Sequence, residues 1–232
     1  MGAKLSSLYE MIEQVEGPED RPFVTLTFAQ SIDGSISARR GVRTALSGEA
    51  SLTMTHTLRT LHDAILVGIG TVLVDNPLLT ARAVAGPDPQ PIVVDSQLRI
   101  PPECNLLKAA QPPWIACSPE VEPDLKESLV AKGATVIEIQ RGPGGIDLGR
   151  LLAELRARGV QSLMVEGGAR IIRSFLESDH VDMFVVTIAP RLLAGLWPYD
   201  VPADNAALPR FDDPQWAQAG DDVVFWAHAA HA

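Results

Sequence analysis

The chain has 232 residues, 46% hydrophobic and 21% charged, an ordinary globular composition far from that of a disordered segment. Of its net charge of −10, residues 1–20 carry −4 and residues 199–232 carry −5, which leaves −1 for residues 21–198. No basic stripe is present, arguing against nucleic acid; no apolar run is long enough for a membrane helix; and Met1–Gln14 lacks the apolar core of a signal peptide, so the expected location is cytoplasmic.

Leu5–Val15 reads as an amphipathic helix stopped by Gly17-Pro18, an N-terminal extension of about twenty residues. Pro22–Ala29 is β-rich and ends at the Asp33-Gly34 turn. A helix runs from Ser47, its expected N-cap, to Leu61. Asp63–Val67 is an apolar strand that leads into Gly68 and Gly70, and Pro91–Val94, Pro113–Cys117 and Ala134–Ile139 are further strands. Val121–Ala131 and Asp147–Arg158 are helices, each followed by a glycine. Gln161–Val165 is a strand, Ala169–Leu176 a helix and Val181–Ala189 a longer strand. Residues 198–214 read as irregular, before a final strand at Val223–Ala227. The alternation of strands and helices predicts a single α/β domain over 1–232, with a mostly parallel central sheet covered by helices on both faces. The last two strands have no clear helix between them, which predicts an antiparallel C-terminal edge.

Ligands of such sheets bind beyond the carboxyl ends of the strands. There the chain places Gly68, Thr71, Asp75, Ser96, Glu166 and Gly167. Glu166-Gly167-Gly168 between a strand and a helix is either a phosphate cradle or a plain tight turn. Asp75-Asn76-Pro77 has turn chemistry. Arg59 and Arg82 bracket it, and two arginines near an aspartate fit a phosphosugar site. Ser96 and Arg99 past a strand end suit the 2′-phosphate of NADPH, or simply cap a loop. His56 and His62 lie beside Arg59 without metal-ligand spacing and read as structural. Cys104 and Cys117 read as reduced buried thiols, and no metal site is expected. The Gly-x-Gly-x-x-Gly dinucleotide fingerprint, the Walker A loop and the Gly-x-Ser-x-Gly elbow are all absent.

Six segments in order resemble the pyrimidine reductases of riboflavin biosynthesis, the reductase half of the bifunctional bacterial deaminase–reductase. They are Thr25–Gly34, His56–Arg59, Asp63–Arg82, Pro91–Ser96 with Leu98-Arg99, Val165–Ala169 and Ile188–Arg191. The resemblance implies a dihydrofolate-reductase-like fold, NADPH as cofactor and a homodimer. It implies reduction of the ribose of 5-amino-6-(5-phosphoribosylamino)uracil to a ribityl chain. The catalytic pair is then Asp75 and Glu166, and the substrate is held by Arg59, Arg82, Leu79 and Ser47. The cofactor side takes Ala29, Gly68, Thr71, Ser96, Arg99, Gly167, Gly168 and Ala169. The zinc deaminase motifs are missing, so the expectation is a reductase alone. Two departures stand out: Ser35 replaces a basic residue after the Asp-Gly turn, and Ala194-Gly195 replaces Gly-Gly. Three alternatives stay open: the same reduction on the undeaminated 2,5-diamino-pyrimidinone, a dihydrofolate- or pteridine-like reductase, and a non-catalytic nucleotide-binding descendant. Val181–Ala189 is either a dimer strand or a buried strand of the sheet.

Overall fold

The computed structural model describes residues 4–142, 144–198 and 210–230. In chain order the elements are α1 (Leu5–Glu13), β1 (Phe23–Ser31), α2 (Glu49–Thr60), β2 (Ala64–Gly68), α3 (Ile69–Asp75) and β3 (Gln90–Val94). Then come α4 (Asn105–Lys108), β4 (Trp114–Cys117), α5 (Pro123–Val130), β5 (Thr135–Glu138) and the short pair β6 (Arg141–Gly142) and β7 (Gly145–Ile146). The chain continues with α6 (Leu148–Ala157), β8 (Ser162–Glu166), α7 (Ala169–Leu176), β9 (Met183–Ala189), β10 (Arg210–Ala219) and β11 (Asp222–Ala230).

Nine strands form one sheet in the order β10-β11-β9-β1-β8-β2-β3-β4-β5. From β9 to β5 every pair is parallel, while β11 pairs antiparallel with both β9 and β10. The mostly parallel sheet with an antiparallel C-terminal edge is therefore as the sequence predicts. Successive side chains of a strand point to opposite faces, and here both faces are covered. Val24, Leu26, Leu66 and Val165 pack with Leu151 and Leu155 of α6 and Ile172 and Phe175 of α7. Ile65, Val67, Val93 and Ile115 face Val72 of α3 and Leu129 of α5. Phe23, Met164, Met183 and Trp226 pack under Leu8 of α1 and Met54 and Leu58 of α2. This two-sided burial is the reason the strands read as nearly unbroken apolar runs.

Three expectations change. Residues 199–209 of the segment read as irregular lie outside the described residues, but 210–214 begin β10. The Pro in Asp212-Asp213-Pro214 argues against a strand, because Pro cannot donate to a ladder. An edge strand tolerates it at a register shift between Asp212 and Gln215, where Asp213 has φ 49°. Second, β9 lies between β1 and β11, so both of its edges are paired and it is the buried sheet strand of the two readings. Third, the N-cap of α2 is Gly48 rather than Ser47.

Gly48 has no side chain to cap with, and the chain supplies one from 174 positions away. Asp222, 3% exposed at the start of β11, accepts the Gly48 N–H at 2.8 Å and the Ser51 hydroxyl. The carboxylate also sits favourably at the positive end of the helix. Asp222→Ala is expected to cost about 2 kcal/mol, since it removes a cap and strands a buried hydroxyl. At roughly 2–4 °C per kcal/mol for a chain of this size, thermal melting should show a drop of several degrees. An unchanged melting temperature would mean that water replaces this cap without loss.

Candidate active site

The carboxyl ends of β1, β8, β2 and β3 lie side by side, because these strands are neighbours and parallel. Two of them turn at once into helices. Gly68 ends β2 and is the N-cap of α3; Gly168 is the N-cap of α7, two residues after β8. The two turns touch: a side-chain carbon built on Gly168 would lie 3.6 Å from the Thr71 hydroxyl. The expected cofactor residues Gly68, Thr71, Gly167, Gly168 and Ala169 are thus brought to one place.

The reason for two of these glycines is packing. A carbon on Gly68 or on Gly167 would come within 2.6 Å of Ile171 in α7, so both must be bare for the helix to seat on the sheet. Gly168, by contrast, has room and is exposed. Helix N-termini leave N–H groups without intrahelical partners, and the α7 terminus opens at this rim. Ala29 is half-buried near the end of β1, beside Thr187 of β9.

Ser96 lines a cavity of about 300 Å³ beyond β3 and β4, with Ser118, Val121, Leu125 and Arg141 among its walls. Arg99 is not part of that lining; its Nε lies 3.7 Å from the buried Asp95. The Ser118 hydroxyl is buried without a hydrogen-bond partner. Gln97, Glu120 and Glu122 complete the lining, so the pocket carries two carboxylates beside its one arginine.

Asp75 occupies the last turn of α3, and its side chain is 32% exposed. Its Oδ1 is buried with no hydrogen bond, and the nearest cation is Arg43 Nε at 3.8 Å. Burial pushes the carboxyl above its ordinary value, and Arg43 opposes this only in part. Arg43 belongs to the 37–46 segment, which the sequence reading left out. The Arg39-Arg40-x-x-Arg43 run in that loop was the available signal.

Arg59 and Glu166 are each other's partner. Arg59 Nε donates to Oε1 and Nη2 to Oε2, both at 2.7 Å, while Nη1 donates to the Thr80 carbonyl at 2.8 Å. Burial alone would lower the Arg59 pKa, but the charge and hydrogen bonds of Glu166 outweigh it and raise it. Three of the five guanidinium N–H groups are committed, so two remain for a ligand. Arg82 is exposed and makes no ion pair among the described residues. Leu79 is 2% exposed with φ 58°, and its side chain belongs to the core. Ser47 is half-buried just before α2.

The histidines divide. His62 is fully satisfied, with Nδ1 at 2.7 Å from the Leu58 carbonyl and Nε2 at 2.8 Å from the Thr25 hydroxyl. His56 is buried with Nδ1 unpaired. Among the described residues no group of three His, Cys, Asp or Glu is placed to hold a metal ion.

Both departures lie on one buttress. Asp33 accepts from the hydroxyls of Ser31 and Ser35 and from the Leu193 and Ala194 N–H groups, which hold its carboxyl far below the ordinary range. Ser35 is fully buried and accepts the Gly195 N–H at 2.9 Å. It ties the turn to the 193–195 segment and does not face a ligand. Gly195 must be bare, since a carbon there would lie 2.1 Å from the Ser37 carbonyl. Ala194 carries φ 47°, a conformation that glycine adopts at less cost.

Residues 22–225 match the family model described as RibD C-terminal domain. The chain is 38% identical over 178 residues to the 2,5-diamino-6-ribosylamino-4(3H)-pyrimidinone 5′-phosphate reductase of Methanothermobacter thermautotrophicus, covering 75% of this chain and 81% of that protein. Its structure resembles that of the Saccharomyces cerevisiae riboflavin biosynthesis reductase Rib7, with a TM-score of 0.76 at 28% identity over 98% of this chain and all of the other. Enterococcus faecalis dihydrofolate reductase in complex with NADP(H) shares the fold alone, with a TM-score of 0.50 at 12% identity over 90% of this chain and 97% of that one. The chain therefore belongs to the RibD C-terminal domain family, the reductase family of riboflavin biosynthesis, on a dihydrofolate-reductase-like fold.

Proposed function

We propose that this protein is an NADPH-dependent reductase that converts the ribose of a 5-phosphoribosylamino-pyrimidine into a ribityl chain. The observation that carries the reading is Asp75. It is a half-buried carboxylate with an unpaired oxygen, one turn beyond Thr71 on the helix that starts at the strand ends. The cofactor, when bound, supplies a hydride to the sugar C1. Thr71, Ser96, Gly168 and Ala169 would hold it along the strand ends, with the cavity at Ser96 taking its adenosine end. The reduction needs one proton besides the hydride. Asp75, whose carboxyl is raised by burial, is suited to pass that proton as the sugar ring opens. Arg82 and the two free N–H groups of Arg59 hold the phosphate, so that distant binding energy positions C1.

Between the two bases we favour the undeaminated 2,5-diamino-pyrimidinone over the uracil. The relatives from M. thermautotrophicus and from S. cerevisiae, the latter at 36% identity over 222 residues, are covered over 81% and 87% of their own length and carry the name of the 2,5-diamino reductase. The setting would be the cytoplasm. A homodimer would use the edge strand β10, where Phe211 and Trp216 are exposed. The test is loss of reduced-nicotinamide absorbance with each pyrimidine and with dihydrofolate, using NADPH and NADH. Turnover of the diamino compound with NADPH is expected. Turnover of the uracil alone would reverse the choice of base, and turnover of dihydrofolate alone would overturn the reading.

A further inference from the structure

His56 is a buried polar residue next to Arg59 with a ring nitrogen that the fold leaves unpaired. It lies one turn before Arg59 on α2, so both side chains leave the helix on the same face. It is 7% exposed, and Nδ1 has no hydrogen-bond partner. The charged groups that act on the ring are Arg59 of α2, Arg82 of the loop after α3 and Glu166 of β8. The Thr80 backbone faces it as well. An unsatisfied buried nitrogen costs stability, and a histidine kept only for packing would do better as leucine. His62 on the same helix end shows the alternative, with both nitrogens bonded.

We propose that His56 is a substrate-recognition residue whose unpaired Nδ1, on the helix face it shares with Arg59, accepts a hydrogen bond from a hydroxyl of the phosphorylated pentose. This rests on the reductase reading above and adds a third contact to its two arginines. Burial and the two arginines keep the ring neutral. In the Nε2–H tautomer, Nδ1 is a lone-pair acceptor. A phosphate dianion has no proton for it; a sugar hydroxyl does. The two arginines then read the charge and His56 reads the sugar.

The test compares ribose 5-phosphate with inorganic phosphate by calorimetry on the full chain, together with thermal melting and kinetics on the pyrimidine. His56→Leu should weaken ribose 5-phosphate about fivefold to tenfold, the worth of one neutral hydrogen bond. It should leave inorganic phosphate within about twofold and the melting temperature equal or higher. KM for the pyrimidine should rise by a similar factor with little change in kcat. His56→Asn, whose amide lies near the place of Nδ1, should restore most of the affinity. A lower melting temperature with unchanged binding would make His56 structural and end the proposal, and so would equal losses for both probes. The two readings fail separately. If the wild type reduces the pyrimidine and His56→Leu leaves KM unchanged, only the role of His56 falls. If the wild type binds ribose 5-phosphate but reduces neither pyrimidine, the reductase reading falls, and His56 is judged on the two binding constants.

Discussion

Asp75→Asn is expected to lower turnover by more than about tenfold while the protein stays folded. The substitution keeps the shape of the side chain and removes its ability to carry a proton. The cost to folding should be nil, because the carboxylate is poorly served where it sits. Oδ1 has no hydrogen bond, and Arg43 lies at 3.8 Å with its own side chain 75% exposed. Burial therefore raises the carboxyl above its unfolded value. The sign follows from linkage: a raised carboxyl destabilises the fold only when ionised. The penalty is absent below the ordinary carboxylate range, grows as pH rises through the folded value, and is then constant. At neutral pH the Asn variant should melt at the same temperature as the wild type or slightly higher, and the difference should vanish on acidification. Wild-type turnover in the variant would remove Asp75 from the chemistry. A loss of several degrees would show that its charge is needed for the fold.

The sheet was legible because both of its faces are buried. Continuous apolar runs such as Ala64–Val67 and Leu163–Val165 declare themselves in one dimension. The short helix α3 did not. Gly68 and Gly70 look like a loop, and glycine is a poor helix former, yet packing of Ile69 and Val72 decides the matter. β10 was hidden for the opposite reason, since Asp-Asp-Pro has turn chemistry and an edge strand can absorb it. Of the site, the residue types at the strand ends were readable, and their partners were not. Arg59 meets Glu166 across 107 positions and Gly48 meets Asp222 across 174. Nothing local marks such pairs. The spare nitrogen of His56 belongs to the same class, because only the three-dimensional surroundings show that His62 is satisfied and His56 is not.

The Arg59–Glu166 pair should behave as one unit, and this is the other large effect expected. The side chains are 11% and 20% exposed, and the fork is bidentate. Removing one partner abandons the other in a half-dry place. Arg59→Met should therefore cost about 1–3 kcal/mol of stability, below the range for fully buried pairs because water still reaches both groups. It should also raise KM for the phosphorylated substrate at least about tenfold by removing a phosphate contact. Glu166→Gln keeps one acceptor oxygen for Arg59 and should be milder on both counts. The double variant separates the two jobs open to Glu166. If Glu166 acts mainly by aiming Arg59, then Arg59→Met with Glu166→Gln loses no more than Arg59→Met alone, a coupling of about 1 kcal/mol or more in kcat/KM. If Glu166 works on the reacting carbon, Glu166→Gln lowers kcat whatever stands at 59, and the losses add. The geometry favours coupling, because both carboxylate oxygens already face the guanidinium. Additive losses in kcat/KM would make Glu166 a catalytic residue in its own right.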